Sequence, residues 1–159
     1  MQWWRKAAVQ NLAQAQSNLA LCYNEGRGVA KDYTESARWY RRAAEQNFSQ
    51  AQLKLGFCYA TGRGVAKNEK EAAKWFRKAA AQNHAGAQYN LSLCYLNGIG
   101  VEKDEVEGSK WMLLAAGQGD EQAKQFMTKL ENEMTREQIA EAQKRARDFK
   151  PSETTSSGG

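Results

Sequence analysis

Few side chains in this 159-residue sequence could do chemistry, and their spacing argues against it. His84 is the only histidine. A serine or cysteine nucleophile needs a base beside it, and a zinc site needs several ligands. At intervals of 36 residues His84 corresponds to Leu12, Phe48 and Asp120, a slot with no shared chemistry. Cys22, Cys58 and Cys94 share another slot at the same interval. Stacked helices hold equivalent Cα atoms roughly 9–10 Å apart, beyond the limit of about 7 Å for a disulfide. The thiols are therefore expected to be buried and reduced, and a linear ladder does not converge on a metal. The loops Gly62-Arg63-Gly64-Val65 and Gly98-Ile99-Gly100-Val101 lack the strand and the G-K-[ST] ending of a phosphate loop. Carboxylates such as Glu69 and Glu71 fall at a helix start, where the helix dipole favours negative charge. No catalytic residue, cofactor or metal site is expected, and the chain reads as a non-enzyme.

The same interval organises the whole sequence. AQLKLGFCYATGRGVAKNEKEAAKWFRKAAAQNHAG, beginning at Ala51, overlays both the preceding and the following 36 residues, with Trp39, Trp75 and Trp111 fixing the spacing. Such a period predicts a solenoid. In each unit Ala51, Leu55 and Tyr59, or their equivalents, lie at i, i+4 and i+8 on one helical face, and Gly62-Arg63-Gly64 ends that helix. Capping-box spacing then opens a second helix at Asp32 with Glu35, Asn68 with Glu71, and Asp104 with Glu107. That helix carries Ala72, Trp75, Phe76, Ala79 and Ala80, and closes at Asn47, Asn83 or Gly119, types that tolerate the left-handed conformation. A lone hairpin cannot bury its apolar edge, so neighbours must stack. Ala20, Gly56 and Ser92 would permit close approach, and the tryptophans would fill the wedge between layers.

The pattern A-x-x-x-L-[AGS]-x-x-Y-x-x-G-x-G-V, followed by A-x-W-[YF]-x-x-A-A, resembles the Sel-one-like repeat (SLR) family, relatives of the tetratricopeptide repeats. The resemblance implies an all-α, right-handed α/α superhelix with a 36-residue period. It also implies an adaptor role in signalling, assembly, quality control or host interaction. Cysteine-rich relatives carry a bridging pair where this chain has Ala44 and Ala51, so an ordinary, disulfide-free member is expected. Cell-wall hydrolysis of peptidoglycan or β-lactams, proposed for those relatives, is the rival reading.

The resulting layout is 1–12 as the second helix of an earlier repeat, then repeats at 13–48, 49–84 and 85–120. A degenerate repeat with a C-terminal capping helix follows over 121–150, then a disordered tail at 151–159. Trp3, Trp4, Ala7 and Ala8 align with Trp39, Tyr40, Ala43 and Ala44, so further sequence upstream is expected. LENEMTREQIAEAQKRARDF resembles the closing helices of bacterial SLR proteins, with Thr135 and Gln138 as a capping box; deleting this helix is expected to expose Phe126, Met127 and Leu130.

The net charge of +5 raises the question of nucleic acid. The cations Arg38, Arg41, Arg42, Lys74, Arg77 and Lys78 are interleaved with Glu and Gln and follow no recognition pattern, which favours a solvated outer face. No apolar run is long enough to span a membrane. A soluble bacterial chain, monomeric, in the cytoplasm, periplasm or outside the cell, is the expectation. Aligning Leu55, Gly56 and Tyr59 with the tetratricopeptide core places the inner-surface slots at Ser17, Leu21 and Asn24; Leu53, Phe57 and Ala60; and Tyr89, Leu93 and Leu96. This second apolar stripe either completes the core or forms a concave groove for a partner peptide or helix. Tyr89 is the expected centre of such a groove.

Overall fold

The computed structural model describes residues 6, 8 and 10–152. Eight helices are defined among them: α1 (Ala13–Glu25), α2 (Tyr33–Glu45), α3 (Ser49–Thr61), α4 (Glu69–Ala81), α5 (Ala85–Asn97), α6 (Glu105–Gly117), α7 (Glu121–Glu133) and α8 (Arg136–Arg147). The described residues form no strand, and the fold is an all-α solenoid of 36-residue repeats. Of the expected upstream helix, Trp3, Trp4 and Ala7 lie outside the described residues. Lys6 and Ala8 are helical, and Ala8 is buried with Ala15 and Leu19.

Two compact units meet within α4, one ending at Trp75 and the other beginning at Phe76. In the first, Ala20, Tyr40, Ala44, Ala51, Leu55, Cys58 and Trp75 form one core cluster, with Trp39 only half-buried against it. In the second, Met112, Ala115, Ala123, Met127 and Leu130 form another. Ala20, Gly56 and Ser92 are all buried, and the Ser92 hydroxyl donates to the Gly108 carbonyl at 2.6 Å.

The turns after the second helices use the left-handed residues that the repeat pattern anticipates: Asn47 and Asn83 have φ of 63° and 64°, and Gly119 has 94°. The capping boxes at the second helices are only half formed. Asp32, Asn68 and Asp104 each accept the amide three residues on. The reciprocal arm is absent, because the cap residue's own N–H donates to a tyrosine carbonyl of the preceding helix: Tyr23, Tyr59 or Tyr95, each at 3.0 Å. The freed glutamates pair one turn on, with Arg38, Lys74 and Lys110. Among the described residues, Thr135 with Gln138 makes the complete box.

After α7 the register breaks. The seven-residue loop of each repeat is replaced by Met134 and Thr135 alone, and α8 begins at once. It packs on α6: Phe149 meets Trp111 edge-on with centroids 5.3 Å apart, and Arg145 reaches Glu107 at 3.3 Å. Met127 and Leu130 are instead covered by Met112 and Ala115 of α6. Deleting α8 would therefore uncover Trp111, rather than Phe126, Met127 and Leu130. The tail, expected to be free from Pro151, is held at its start, where the Ser152 amide donates to the Ala81 carbonyl at 2.8 Å. Residues 153–159 lie outside the described range.

Gly64 marks where consecutive hairpins touch. A Cβ there would collide with the Tyr33 carbonyl and the Thr34 amide, and its φ is +73°. Gly26, the first glycine of its own loop, has φ +75° and only ordinary contacts around an added Cβ. Gly26→Ala should therefore cost the left-handed penalty alone, about 1–2 kcal/mol. Gly64→Ala should add a steric cost of about 1–3 kcal/mol. Urea unfolding of both variants checks this; equal losses would mean that the loop moves away from Tyr33 freely.

Candidate functional site

The first helix of each hairpin presents two apolar stripes, and the structure assigns them different fates. Leu53 is 7% exposed and Ser17 is 6% exposed, so both belong to the interior and are corrected from inner-surface to buried positions. The cause is their spacing: each lies three residues before a buried small residue, Gly56 or Ala20, and so shares its face of the helix. Tyr89, Leu93 and Leu96 are half-buried and packed on the cluster of Met112, Ala115 and Ala123. Leu96 fills the space above Gly108, where a Cβ would lie 2.7 Å from the Leu96 Cγ. The expectation of Tyr89 as a surface side chain thus gives way to one resting on the core. Ala60 is half-buried, and Phe57 is 38% exposed.

Leu21, Asn24 and Phe57 are brought together. They line a cleft of about 310 Å³ between α1 and α3, whose floor includes Tyr40 and Cys58. Burial pushes the Tyr40 phenol above its ordinary range. It also pushes the Cys58 thiol up, against the opposing charges of Arg63 and Lys54. Lys54 and Arg63 stand on the wall with Thr61 and Glu25. None of these six was singled out as an inner-surface residue by the stripe. A signal was available for Lys54 and Arg63, since their slots hold Asn18 and Arg27 in the first repeat and Asn90 and Ile99 in the third.

A larger cleft of about 440 Å³ lies on the outer side, along Arg38, Arg41, Arg42 and Glu45. Its cations are already engaged. Arg38 pairs with Glu35 at 2.7 Å, Arg41 donates to the Tyr59 hydroxyl at 2.6 Å, and Arg42 stacks 4.5 Å from the Trp39 centroid. His84 serves as the N-cap of α5, its Nδ1 accepting the Ala87 amide at 3.4 Å. Among the described residues no group of three or more His, Cys, Asp or Glu side chains could hold a metal. No helix among them is long and apolar enough to cross a membrane.

The structure also reveals a buried row that the sequence reading missed. Gln16, Gln52 and Gln88 are at most 2% exposed. Each donates to a carbonyl of the preceding helix (Ala8, Ala44, Ala80) and to an asparagine in the turn (Asn11, Asn47, Asn83). Gln46 and Gln118 close the contact by donating to Gln16 and Gln88, at 2.6 and 2.7 Å. The signal was an invariant Ala-Gln pair at each interval, hidden because a polar residue does not belong to an apolar pattern.

The Sel1 repeat model matches residues 13–48, 49–84 and 85–120, three contiguous units whose bounds coincide with the helix pairs. The chain belongs to the Sel1 repeat family. A Sel1 repeat protein from Oxalobacter formigenes has a similar crystal structure, 41% identical over 74% of this chain and 49% of its own, with a TM-score of 0.72. A second relative is c5321, a protective antigen present in uropathogenic Escherichia coli strains and displaying an SLR fold. It is 29% identical over 93% of this chain and 40% of its own, with a TM-score of 0.69. This chain thus spans half or less of the length of these two bacterial proteins. A comparison with curated proteins gives no match. Sel1 repeat proteins are generally protein-interaction scaffolds, and the fold is typically non-catalytic.

The three Sel1-repeat cysteines form no disulfide, and Cys58 and Cys94 are buried while Cys22 is half-buried. A thiol reagent at neutral pH should therefore label Cys22 first, leave Cys58 and Cys94 protected, and label all three in denaturant. Fast native labelling of Cys58 would contradict both its burial and its raised pKa.

Proposed function

We propose that this chain is a non-enzymatic scaffold that holds a segment of a partner protein in the cleft between α1 and α3. The carrying observation is Phe57, an aromatic side chain 38% exposed on a helix whose neighbours are largely buried. Beside it, Leu21 and Asn24 complete a concave wall of about 310 Å³, at the small end of the range for ligand clefts. An exposed aromatic in such a setting is the usual anchor point for a peptide, and hot spots tend to be few and aromatic. The family's general role in protein interaction supports the same reading. Of the other inner-stripe residues, Tyr89, Leu93 and Leu96 serve the packing of their own unit, on Met112, Ala115 and Ala123.

Selection of peptides from a random 12-residue display library on the full chain provides a test. Peptides so selected should bind Phe57→Ala at least about 30-fold more weakly, the equivalent of a hot spot of about 2 kcal/mol. Charge reversal at Arg41 and Arg42 should leave their equilibrium affinity nearly unchanged. Binding that survives Phe57→Ala and is lost on charge reversal would move the interface to the outer face.

A further inference from the structure

The cleft's charge is as distinctive as its shape. Lys54 rises from α3 one turn before Phe57, and Arg63 follows from the loop beyond Thr61, so two cations flank the aromatic. Neither has an ion-pair partner among the described residues; Arg63 only lies over the Tyr33 ring, 5.4 Å from its centroid. The one carboxylate on the wall, Glu25, is already bound to Arg27. Among the described residues no carboxylate pairs with either cation of the cleft, whereas on the outer face Arg38 and Lys74 carry their own glutamates and Arg41 is hydrogen-bonded to the Tyr59 hydroxyl. Both cations also act on the Cys58 thiol in the floor, opposing the effect of its burial, which is consistent with their facing inward.

This combination is local to the second repeat. The slots of Lys54, Phe57 and Arg63 hold Asn18, Leu21 and Arg27 in the first repeat and Asn90, Leu93 and Ile99 in the third. Cation, exposed aromatic and cation coincide once, so the repeat's own stacking does not require them.

We propose that the cleft recognises an acidic peptide segment of a partner protein, with a large apolar side chain set on Phe57 and Leu21 and flanking carboxylates on Lys54 and Arg63. This rests on the docking reading above and adds the chemistry of the partner. Arginine meets a carboxylate through a planar two-point fork and lysine through a point charge, so the two ends of the cleft differ in geometric selectivity. Asn24 and Thr61, at the edge of the same wall, offer hydrogen bonds to the peptide backbone.

The test uses two labelled synthetic peptides, each an extended nine-residue segment with a central phenylalanine. One carries glutamates on both sides of it, and the other carries glutamines. Fluorescence anisotropy with the full chain should give tighter binding of the acidic peptide by about tenfold or more, weakening as salt rises. Lys54→Gln and Arg63→Gln, both on accessible side chains, should each remove most of that preference while leaving the circular dichroism melt unchanged. Phe57→Ala should weaken both peptides. Equal binding of the two peptides, still sensitive to Phe57→Ala, would overturn the charge assignment and leave the docking site standing. Acidic-peptide binding that persists in Phe57→Ala would reduce the effect to diffuse attraction and overturn the proposal. Failure of both peptides, while library-selected peptides still need Phe57, would likewise overturn it.

Discussion

Buried amides that must find a partner hold this fold in register. Leaving a buried amide without its hydrogen bonds costs about 1–3 kcal/mol, and Gln16, Gln52 and Gln88 are at most 2% exposed. Each reaches back to the last turn of the preceding helix and to the asparagine that closes it. A slip of one residue would turn the side chain through about 100° and strand the amide in an apolar interior. Hydrophobic contact between hairpins favours stacking in general, whereas the amides accept one stacking only. The left-handed turn residues Asn47 and Asn83 serve two purposes, since their backbone closes the helix while their side-chain oxygen receives the glutamine.

With the register so fixed, the remaining positions are free to differ, and the candidate site lies among them. The loops illustrate the constraint. Tyr23, Tyr59 and Tyr95 supply the carbonyl that satisfies the next helix's cap, so loop length and path are constant from repeat to repeat. Arg63 inherits a fixed position from that constancy, and Lys54 and Phe57 inherit theirs from α3. A scaffold of this kind can place a small recognition surface without disturbing the stack beneath it, because the stack depends on other residues.

Most of the architecture was legible in the sequence because it repeats. The helix starts, the tryptophan interval, the left-handed turn slot and the Thr135 box all follow from side-chain types at fixed spacing. The reciprocal arm of the other capping boxes does not, since the carbonyl of Tyr23, Tyr59 or Tyr95 takes the cap N–H and spacing alone cannot reveal it. The inner stripe was misjudged for a similar reason. Leu93 and Leu96 occupy the same slots as Phe57 and Ala60, yet they are packed and Phe57 is exposed. At Leu96 the facing helix makes room, because its Gly108 lacks the Cβ that Ala72 and Ser36 carry at the equivalent positions of the other repeats. The cleft's cations are invisible in the shared pattern, because Lys54 and Arg63 stand where the repeats depart from one another.

The amide register is tested most directly by the unfolding free energy of Gln88→Met, which keeps the side chain's length and removes its polar atoms. The Ala80 carbonyl would keep only the Asn83 amide, Asn83 Oδ1 only the Gln118 donor, and Gln118 only the Asn83 acceptor. Urea unfolding of the full chain should show a loss of about 2 kcal/mol, as expected for removing several buried hydrogen bonds at about 0.5–1.5 kcal/mol each. A variant as stable as the parent, or more stable, would show that apolar packing alone sets the register.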